Sequence, residues 1–137
     1  MDFEYKIDMK PRLCELIELY NNVGWVNYTI KSDLLRNAYE NSLFNITAWH
    51  ECKMVGAIRV VGDGYSIIYI QDILVMQEYQ RMGIGARLLE QVLDKYKDVY
   101  QKVLLTNKEE KTISFYRKLG FKTSDDYGCI SFVQYKI

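Results

Sequence analysis

Apolar residues recur at three- and four-residue intervals in four stretches of the chain, which predicts four amphipathic helices. The first follows Pro11, which suits a first helical turn, and the second begins at Ser32, whose hydroxyl is suited to cap it. The third runs from about Gly83 to Tyr96, and the fourth ends at Gly120. The residues expected to face the core are Leu13, Leu16, Ile17, Tyr20, Leu34, Leu35, Ala38, Tyr39, Ile84, Leu88, Leu89, Val92, Leu93 and Tyr96.

Shorter apolar or alternating stretches predict six β-strands. Tight turns at 51–53 and 62–64 join three of them, which implies an antiparallel meander. The strand at 103–105 should lie parallel to 70–75, since a helix connects the two. Segment 130–135 alternates apolar and polar residues and is expected to close the sheet. The predicted strands are 4–7, 44–49, 54–61, 66–75, 103–105 and 130–135.

These elements predict a mixed α/β fold of the α+β type, with a mostly antiparallel sheet flanked by about four helices. The length of 137 residues, of which 49% are hydrophobic and 14% aromatic, predicts one domain over residues 1–137. Eighteen basic residues balance eighteen acidic ones without a basic cluster, so nucleic acid is a poor candidate partner. No apolar run approaches the length that spans a membrane.

The cysteines and the N-terminus bear on location and metal binding. The first residues lack the charged and apolar regions of a signal peptide, and an odd number of thiols points to the reducing cytoplasm. Cys14, Cys52 and Cys129, with His50, form no recognisable zinc pattern, so no metal is predicted. The three thiols are expected to be small buried hydrophobic groups.

The stretch from Ile73 to Gly85 is the most informative part of the chain. An apolar strand runs into a short polar loop, and two glycines then open the third helix. Amides at a helix start lack intrahelical acceptors and carry partial positive charge, and glycine lets an anion approach them. The pattern predicts either a phosphate cradle or a plain glycine-rich turn. The candidate donors are the amides of Arg81, Met82, Gly83, Ile84, Gly85 and Ala86.

Two common phosphate-binding loops do not fit this stretch. A dinucleotide-binding loop needs a third small residue where Leu88 stands, and the acidic residue expected further on falls in the apolar strand at 103–105. No Gly-Lys-Ser/Thr follows, which excludes a Walker loop. The antiparallel meander also argues against a doubly wound sheet.

A second motif, Phe115-Tyr116-Arg117-Lys118-Leu119-Gly120-Phe121, stands about thirty residues after the loop. Together with Gln80, Gly83 and Gly85, it resembles the GNAT superfamily of acetyl-CoA-dependent N-acetyltransferases, whose motifs read Gln/Arg-x-x-Gly-x-Gly/Ala and aromatic-Tyr-x-x-x-Gly-Phe. The resemblance covers residues 54–137, and the first fifty residues match only in the order of elements.

The resemblance implies how acetyl-CoA is held. The loop from Gln80 to Ala86 would bind the pyrophosphate. Ile73, Leu74 and Val75 would lie on a strand that splays from its parallel neighbour and offers its backbone to the pantetheine arm, with one amide stabilising the oxyanion. Tyr116 would be the general acid that serves the departing thiolate. The structural alternatives are a fully paired core strand and an ordinary half-buried aromatic residue.

The acceptor side is less defined. Asp72 is a carboxylate inside an apolar strand and needs a partner or a task. It would bind the acceptor's ammonium group or act through water as the base, or else form a structural hydrogen bond to the loop near Gln80 or Arg81. Trp25 and Tyr28, in a loop predicted between the first two helices, are candidates to line the acceptor pocket.

The function predicted from these residues is direct transfer of an acetyl group, in a ternary complex, to a primary amine of a small molecule or peptide. The rivals are a non-catalytic acyl-CoA-binding regulatory module and a nucleotide-binding module. Many GNAT members place an asparagine where Glu109 stands here, while Asn107 lies two residues earlier, so neither is assigned to the cofactor. A homodimer is implied only by the resemblance.

Overall fold

A computed structural model describes residues 1–136. These residues divide into two compact units, one from Met1 to Leu105 and one that begins at Thr106. Each unit is described by itself. The elements in chain order are β1 (Glu4–Ile7), α1 (Leu13–Asn22), α2 (Val26–Ile30), α3 (Ser32–Glu40), β2 (Phe44–His50), β3 (Lys53–Gly62), β4 (Ile67–Val75), a 3₁₀ turn (Gln77–Tyr79), α4 (Ile84–Lys95), β5 (Gln101–Leu104), α5 (Glu110–Lys118) and a second 3₁₀ turn (Ser124–Tyr127).

The first unit is built on one five-stranded sheet with the order β1-β2-β3-β4-β5. Consecutive strands from β1 to β4 are antiparallel, which confirms the meander, and β5 lies parallel to β4, which confirms the parallel pair. The register of that pair differs from the prediction. Gln101 lies opposite Ile67 and Leu104 opposite Ile70, so β5 pairs with the first half of β4 rather than with 70–75.

Helices α1 and α4 pack on opposite faces of this sheet. Asp72 of β4 contacts Tyr20 of α1, whereas a Cβ atom built on Gly56 of β3 would meet Ile84 of α4. Gly56 lies opposite Val75, three residues from Asp72, and residues an odd number apart point to opposite sides of a strand. The core therefore has two layers, one on each side of the strands that carry the candidate site.

Three predicted helix starts need correction. The loop was predicted over 21–29, but α1 continues to Asn22 and residues Val26–Ile30 form the short helix α2. Ser32 is the first residue of α3 and makes no capping bond, and Leu34 is exposed whereas Leu35 and Tyr39 are buried. Asn107, with Glu110 three residues later, has the sequence pattern of a capping box for the fourth helix, but α5 begins later, with Glu109 at the N-cap position. Local capping patterns mislead here because helix bounds follow which faces the tertiary structure buries.

Two further predictions are wrong. Residues 130–135 form no strand, because an alternating pattern becomes a strand only where a neighbouring strand supplies backbone partners. All three cysteines are exposed rather than buried. Cys14 lies in the first turn of α1, Cys52 in the β2–β3 turn and Cys129 just after the second 3₁₀ turn. Within the described residues, none of the helices has the length and apolar character needed to cross a bilayer.

Candidate active site

The second half of β4 has a free edge. Pairing with β5 ends at Ile70 and Leu104, while pairing with β3 continues to Val75 opposite Gly56. Among the described residues, 71–75 therefore have a strand neighbour on the β3 side only. This stretch contains Ile73, Leu74 and Val75, the residues predicted to meet the pantetheine arm. The backbone groups of this stretch that point away from β3 are available to an extended ligand, except the Val75 carbonyl, which accepts a hydrogen bond from Gln80 Nε2.

Side chains on both sides fix the turn that follows β4. Asn22, at the end of α1, accepts a hydrogen bond from the Gln77 amide at 2.8 Å and donates one to Glu78 Oε1 at 2.9 Å. Gln80 then donates from Nε2 to the Val75 carbonyl at 3.0 Å. Gln80 of the first motif thus ties the loop back to the end of β4, and the turn is held at both ends.

Two residues of the loop adopt a left-handed backbone conformation before α4 begins. Arg81 has φ +67° and Gly83 has φ +84°, both in the left-handed region. Gly83 is the N-cap of α4 and receives no side-chain cap. Its carbonyl accepts from the Arg87 amide at 3.0 Å, which leaves the amides of the first helical turn, 84–86, without intrahelical acceptors. A Cβ atom at Gly83 would meet no atom within 4 Å, so the space beside this helix start is open.

Gly56 sets how closely α4 approaches the sheet. A Cβ atom at this position would lie 3.2 Å from Ile84 Cγ2 and 3.3 Å from the Leu74 carbonyl oxygen. Ile84 is the first residue of α4 and is 1% exposed. A larger residue at Gly56 would therefore require its neighbours to shift by a few tenths of an ångström, and glycine lets Ile84 pack closely against β3 near the end of β4.

Asp72 is enclosed in a polar network on the face of the sheet that packs against α1, opposite the face that carries α4. It is 2% exposed, and its Oδ2 accepts hydrogen bonds from Arg59 Nε at 2.8 Å and from the Tyr20 hydroxyl at 2.9 Å. A bulge in the β3–β4 pairing places Arg59 directly opposite Asp72. Neither Gln80 nor Arg81 of the loop is among these partners, so the structural hydrogen bond runs to a different part of the fold than predicted.

The network continues to a second tyrosine. The hydroxyls of Tyr20 and Tyr39 are 2.9 Å apart, and the Tyr39 ring lies over the Arg59 guanidinium, with 5.6 Å from Cζ to the ring centroid. Burial raises the pKa of both phenols, so both stay neutral at physiological pH. Burial works against the charge of Arg59, yet the Asp72 carboxylate raises the pKa of Arg59 on balance. The result is a buried, paired charge rather than a free carboxylate.

Trp25 and Tyr28 surround the buried Tyr20 ring. Their ring centroids lie 5.9 Å and 5.5 Å from that of Tyr20, both with edge-on geometry. Trp25 remains 37% exposed and Tyr28 is half-buried. Gln71, the exposed first residue of the free β4 edge, lies 3.5 Å from the Tyr28 hydroxyl. The aromatic pair therefore borders the free edge of β4 and is open to a ligand.

Tyr116 lies in α5 of the second unit, held by its own motif. Its ring packs edge-on against Phe115 at 5.0 Å and Phe121 at 5.9 Å. Burial raises the pKa of Tyr116, and a side-chain hydrogen bond with Thr106 partly opposes the rise. The phenol is thus protonated at neutral pH and able to donate its proton. Gly120 has φ +92° and ends α5 with a left-handed cap, as predicted.

Sequence reasoning missed several residues that shape the site. Arg59 was detectable, because a charge inside the apolar strand β3 is as unusual as Asp72 in β4 and has the opposite sign. Helical spacing predicts that Tyr20 is a core residue, but no sequence pattern indicates the role of its hydroxyl. Asn22 and Gly56 act through tertiary contacts that local sequence does not encode. Among residues 1–136, no three His, Cys, Asp or Glu side chains are grouped to hold a metal ion.

Comparison with known proteins places this arrangement in a large family. Residues 18–136 match the family model described as "Acetyltransferase (GNAT) domain". An uncharacterized ycf52-like N-acetyltransferase of Prochlorococcus marinus is 31% identical over 113 residues, which cover 80% of this chain and 62% of that protein. An uncharacterized ycf52 N-acetyltransferase of Porphyra purpurea is 26% identical over 83% of this chain and 67% of its own length. The chain thus spans about two-thirds of these relatives.

Solved structures agree with the fold. A GNAT-family acetyltransferase from Streptococcus pneumoniae TIGR4 matches with a TM-score of 0.89 and 35% identity over 98% of both chains. The PaiA N-acetyltransferase from Thermoplasma acidophilum, solved in complex with coenzyme A, matches with a TM-score of 0.69 and 20% identity over 90% of this chain and 91% of that one. An aminoglycoside acetyltransferase from an uncultured soil sample, solved with sisomicin, matches with a TM-score of 0.66 and 21% identity over 98% and 94%.

Proposed function

Since the chain belongs to the GNAT family of acetyltransferases and is an acyltransferase, we propose that it transfers the acetyl group of acetyl-CoA to a primary amine of a small molecule or peptide. The observation that carries the proposal is the free edge of β4 at 71–75, which is followed, after the 3₁₀ turn and a short loop, by an uncapped helix start. A strand edge suits the amide-bearing pantetheine arm, and a helix start suits the pyrophosphate.

The cofactor residues fit this ligand on structural grounds. No side chain caps the helix start, where the amides of 84–86 lack intrahelical acceptors, and the space beside Gly83 is open. The amides of Arg81, Met82 and Gly83, in the loop just before it, are the further proposed donors. Gln80 shapes the loop by holding the Val75 carbonyl, while Ile73 and Leu74 offer backbone groups on the free edge. The Thermoplasma neighbour that was solved with coenzyme A supports the choice of ligand.

The proposed reaction needs no enzyme nucleophile. The amine nitrogen attacks the thioester carbon, a C–N bond forms, and the C–S bond breaks. A β4 amide stabilises the negative charge on the carbonyl oxygen, and Tyr116 donates its proton to the departing thiolate. The amine's proton passes to water or to Asp72. Water is the better candidate, because protonation of Asp72 Oδ2 would sacrifice the hydrogen bonds from Arg59 and Tyr20.

The acceptor site is proposed beside the aromatic pair Trp25 and Tyr28. Both rings are partly accessible and border the free edge of β4. Asp72 would then support the site from below through Tyr20 rather than touch the amine. The neighbour solved with sisomicin is consistent with an amine acceptor. We also propose a cytoplasmic location, for which the three free thiols are the support, and a homodimer without nucleic acid or membrane partners.

Two assays test the proposal in order. Thermal shift with acetyl-CoA, ATP and NAD in parallel should show stabilisation by acetyl-CoA alone, at about 2.7 kcal/mol when its concentration is 100 times Kd. Release of coenzyme A should then be measured across a panel of amines and corrected for hydrolysis. Stabilisation by ATP or NAD instead would overturn the cofactor assignment. Binding of acetyl-CoA without release for any amine would favour the non-catalytic module.

A further inference from the structure

Two consecutive asparagines at the end of α1 bind two different parts of the candidate site. Asn21 Oδ1 accepts a hydrogen bond from the Thr29 hydroxyl of α2 at 2.6 Å. Asn22 Oδ1 accepts from the Gln77 amide at 2.8 Å, and Asn22 Nδ2 donates to Glu78 Oε1 at 2.9 Å. One helix end therefore contacts both α2, which belongs to the proposed acceptor side, and the turn that follows the free edge of β4.

The chain that follows α1 carries the aromatic pair of the proposed acceptor site. The Trp25 amide donates to the Tyr20 carbonyl at 2.9 Å, so this ring begins directly on the helix end. Tyr28 precedes Thr29, so the bond from Thr29 to Asn21 lies one residue from the second ring of the pair. Because Tyr20 is fully buried, α1 gives the loop a fixed base, and the Asn21 bond ties α2 to that base.

The turn held by Asn22 stands between the two halves of the proposed acetyl-CoA site. Gln77 lies two residues after the free β4 edge at 71–75, and the proposed donor amides of 81–86 begin two residues after Tyr79, the last residue of the turn. The position of the turn therefore sets the offset between the edge proposed for pantetheine and the amides proposed for pyrophosphate. A misplacement of about 1 Å in such a site can lower turnover about 100-fold.

The two hydrogen bonds of Asn22 have a fixed direction. A backbone amide can only donate and a carboxylate can only accept, so the Asn22 oxygen faces Gln77 and its NH2 group faces Glu78. The pKa of Glu78 is lowered, first by its own backbone amide and then by Asn22, so Glu78 is a carboxylate at neutral pH. Asn22→Asp would keep the bond from Gln77 and would replace the second bond with a repulsion between two carboxylates.

We propose that Asn22 is a positioning residue for acetyl-CoA and that, together with Asn21, it links the acetyl-CoA site to the acceptor site. The link rests on the proposed acetyl transfer, which supplies both ligands. Acetyl-CoA that holds the turn also holds the end of α1 through Asn22, and it thereby holds α2 through Asn21. Its binding therefore lowers the cost of ordering the loop that carries Trp25 and Tyr28 before an amine arrives.

Calorimetric titration with acetyl-CoA tests the positioning role. Asn22→Asp should raise Kd about 10-fold, since it replaces a charge-assisted hydrogen bond with a like-charge contact. Adding Glu78→Gln to the same chain should restore Kd to within about 2-fold, because the new amide can donate to the new carboxylate. Asn37→Asp is the matched control, since it adds the same charge at an exposed position of α3. An unchanged Kd in Asn22→Asp, or a loss that Glu78→Gln does not restore, would overturn the positioning role.

Fluorescence tests the link without requiring a known acceptor. The chain has two tryptophans, and iodide should quench Trp25, which is 37% exposed, rather than Trp49, which is 4% exposed. At constant ionic strength, saturating acetyl-CoA should reduce this quenching in the natural protein, and the reduction should be lost in Asn21→Ala. No reduction in the natural protein, or an equal reduction in Asn21→Ala because the cofactor shields Trp25 directly, would overturn the link. Titration of the natural protein separates these outcomes from failure of the proposed function, because a protein that binds no acetyl-CoA fails at that first step.

Discussion

The backbone amide of Phe121 donates to the carbonyl of Tyr116 across 3.1 Å, and the two rings lie 5.9 Å apart. The amide of Gly120 donates to the Arg117 carbonyl at 3.1 Å, so the pair of bonds forms a Schellman motif around the left-handed Gly120. The motif Tyr-x-x-x-Gly-Phe thus has a physical meaning here. It folds the chain back so that Phe121 packs against the proposed catalytic phenol.

Gly120→Val should destabilise this motif more than Gly120→Asn. A β-branched residue at φ +92° is strained, whereas asparagine tolerates the left-handed region. We expect Gly120→Val to cost about 1–2 kcal/mol and to increase amide exchange in α5, measured by hydrogen–deuterium exchange. Equal protection of α5 in the two variants would contradict the role assigned to the cap.

Tyr116→Phe should lower turnover by up to about 100-fold, because the thiolate would leave without a proton donor. The affinity for acetyl-CoA should stay nearly unchanged, as isothermal titration can measure. Since burial raises the pKa of Tyr116 above its usual value of about 10, the acid should remain protonated through pH 9. Tyr100→Phe, at a 92% exposed tyrosine, is the control. Unchanged turnover in Tyr116→Phe would remove the acid role.

Gly83→Asp should abolish acetyl-CoA binding, because it adds bulk and negative charge where the pyrophosphate is proposed to lie. Gly24→Asp is a closely matched control. Gly24 has φ +83° against +84° for Gly83, and a Cβ atom at either position would meet no atom within 4 Å. The two variants carry the same backbone strain, so only Gly83→Asp should lose binding in a calorimetric titration. Normal titration by Gly83→Asp would count against the cradle.

Asp72→Leu should lower the free energy of unfolding by about 3–5 kcal/mol, because it leaves Arg59 buried without its partner. The double variant Arg59→Leu/Asp72→Leu should recover much of that loss, since replacing both charges removes the unpaired one. Urea unfolding of the two variants measures the difference. If the double variant is no more stable than the single one, the pair does not act as a unit.

The double variant also separates structure from chemistry at Asp72. With stability recovered, kcat of the double variant at saturating acceptor reports on the proton-accepting role, whereas lost support of the acceptor site through Tyr20 should raise KM instead. Turnover within a few-fold of the natural enzyme would exclude Asp72 as the base and favour water. A large loss of turnover with a normal acetyl-CoA titration would instead support a direct role of the carboxylate.

Asp63 should make stability depend on pH in the acid range. Its carboxylate accepts hydrogen bonds from the Ser66 hydroxyl and from the amides of residues 65–67, and these lower its pKa. A lowered folded-state pKa gives stability that is present above the unfolded value of about 3.9 and is lost as pH falls through the folded value. Asp63→Asn should therefore have a lower Tm at pH 7, with the gap narrowing below about pH 4. A constant gap across that range would contradict this account.

Much of the first unit was predictable because its strands and α4 have strong periodicity. β1, the meander and the amphipathic stripe of α4 follow directly from apolar spacing. The free edge of β4 was expected from the family resemblance. The register of β5 shows why it exists, because the four residues of β5 pair with only part of the nine-residue strand β4.

Other features depend on long-range contacts that no local pattern reveals. The partner of Asp72 depends on a bulge, which shifts the β3–β4 register by one residue and brings Arg59 opposite. The sequence pattern predicts that Ser32 and Asn107 cap helices, but the packing of α3 and α5 sets where those helices begin. The alternation at 130–135 predicts a strand, but no described strand supplies its backbone partners.

The absent side chain at Gly56 has a consequence for how this site could change. Gly56 lies on β3, and the absence of a side chain there lets Ile84, the first residue of α4, pack closely against the strand. An alanine there requires the Ile84 side chain, or the helix start that carries it, to give by a few tenths of an ångström, and a shift of the backbone would move the amides of the first turn with it. We therefore expect Gly56→Ala to change the affinity for acetyl-CoA, although Gly56 is not among the residues proposed to contact it.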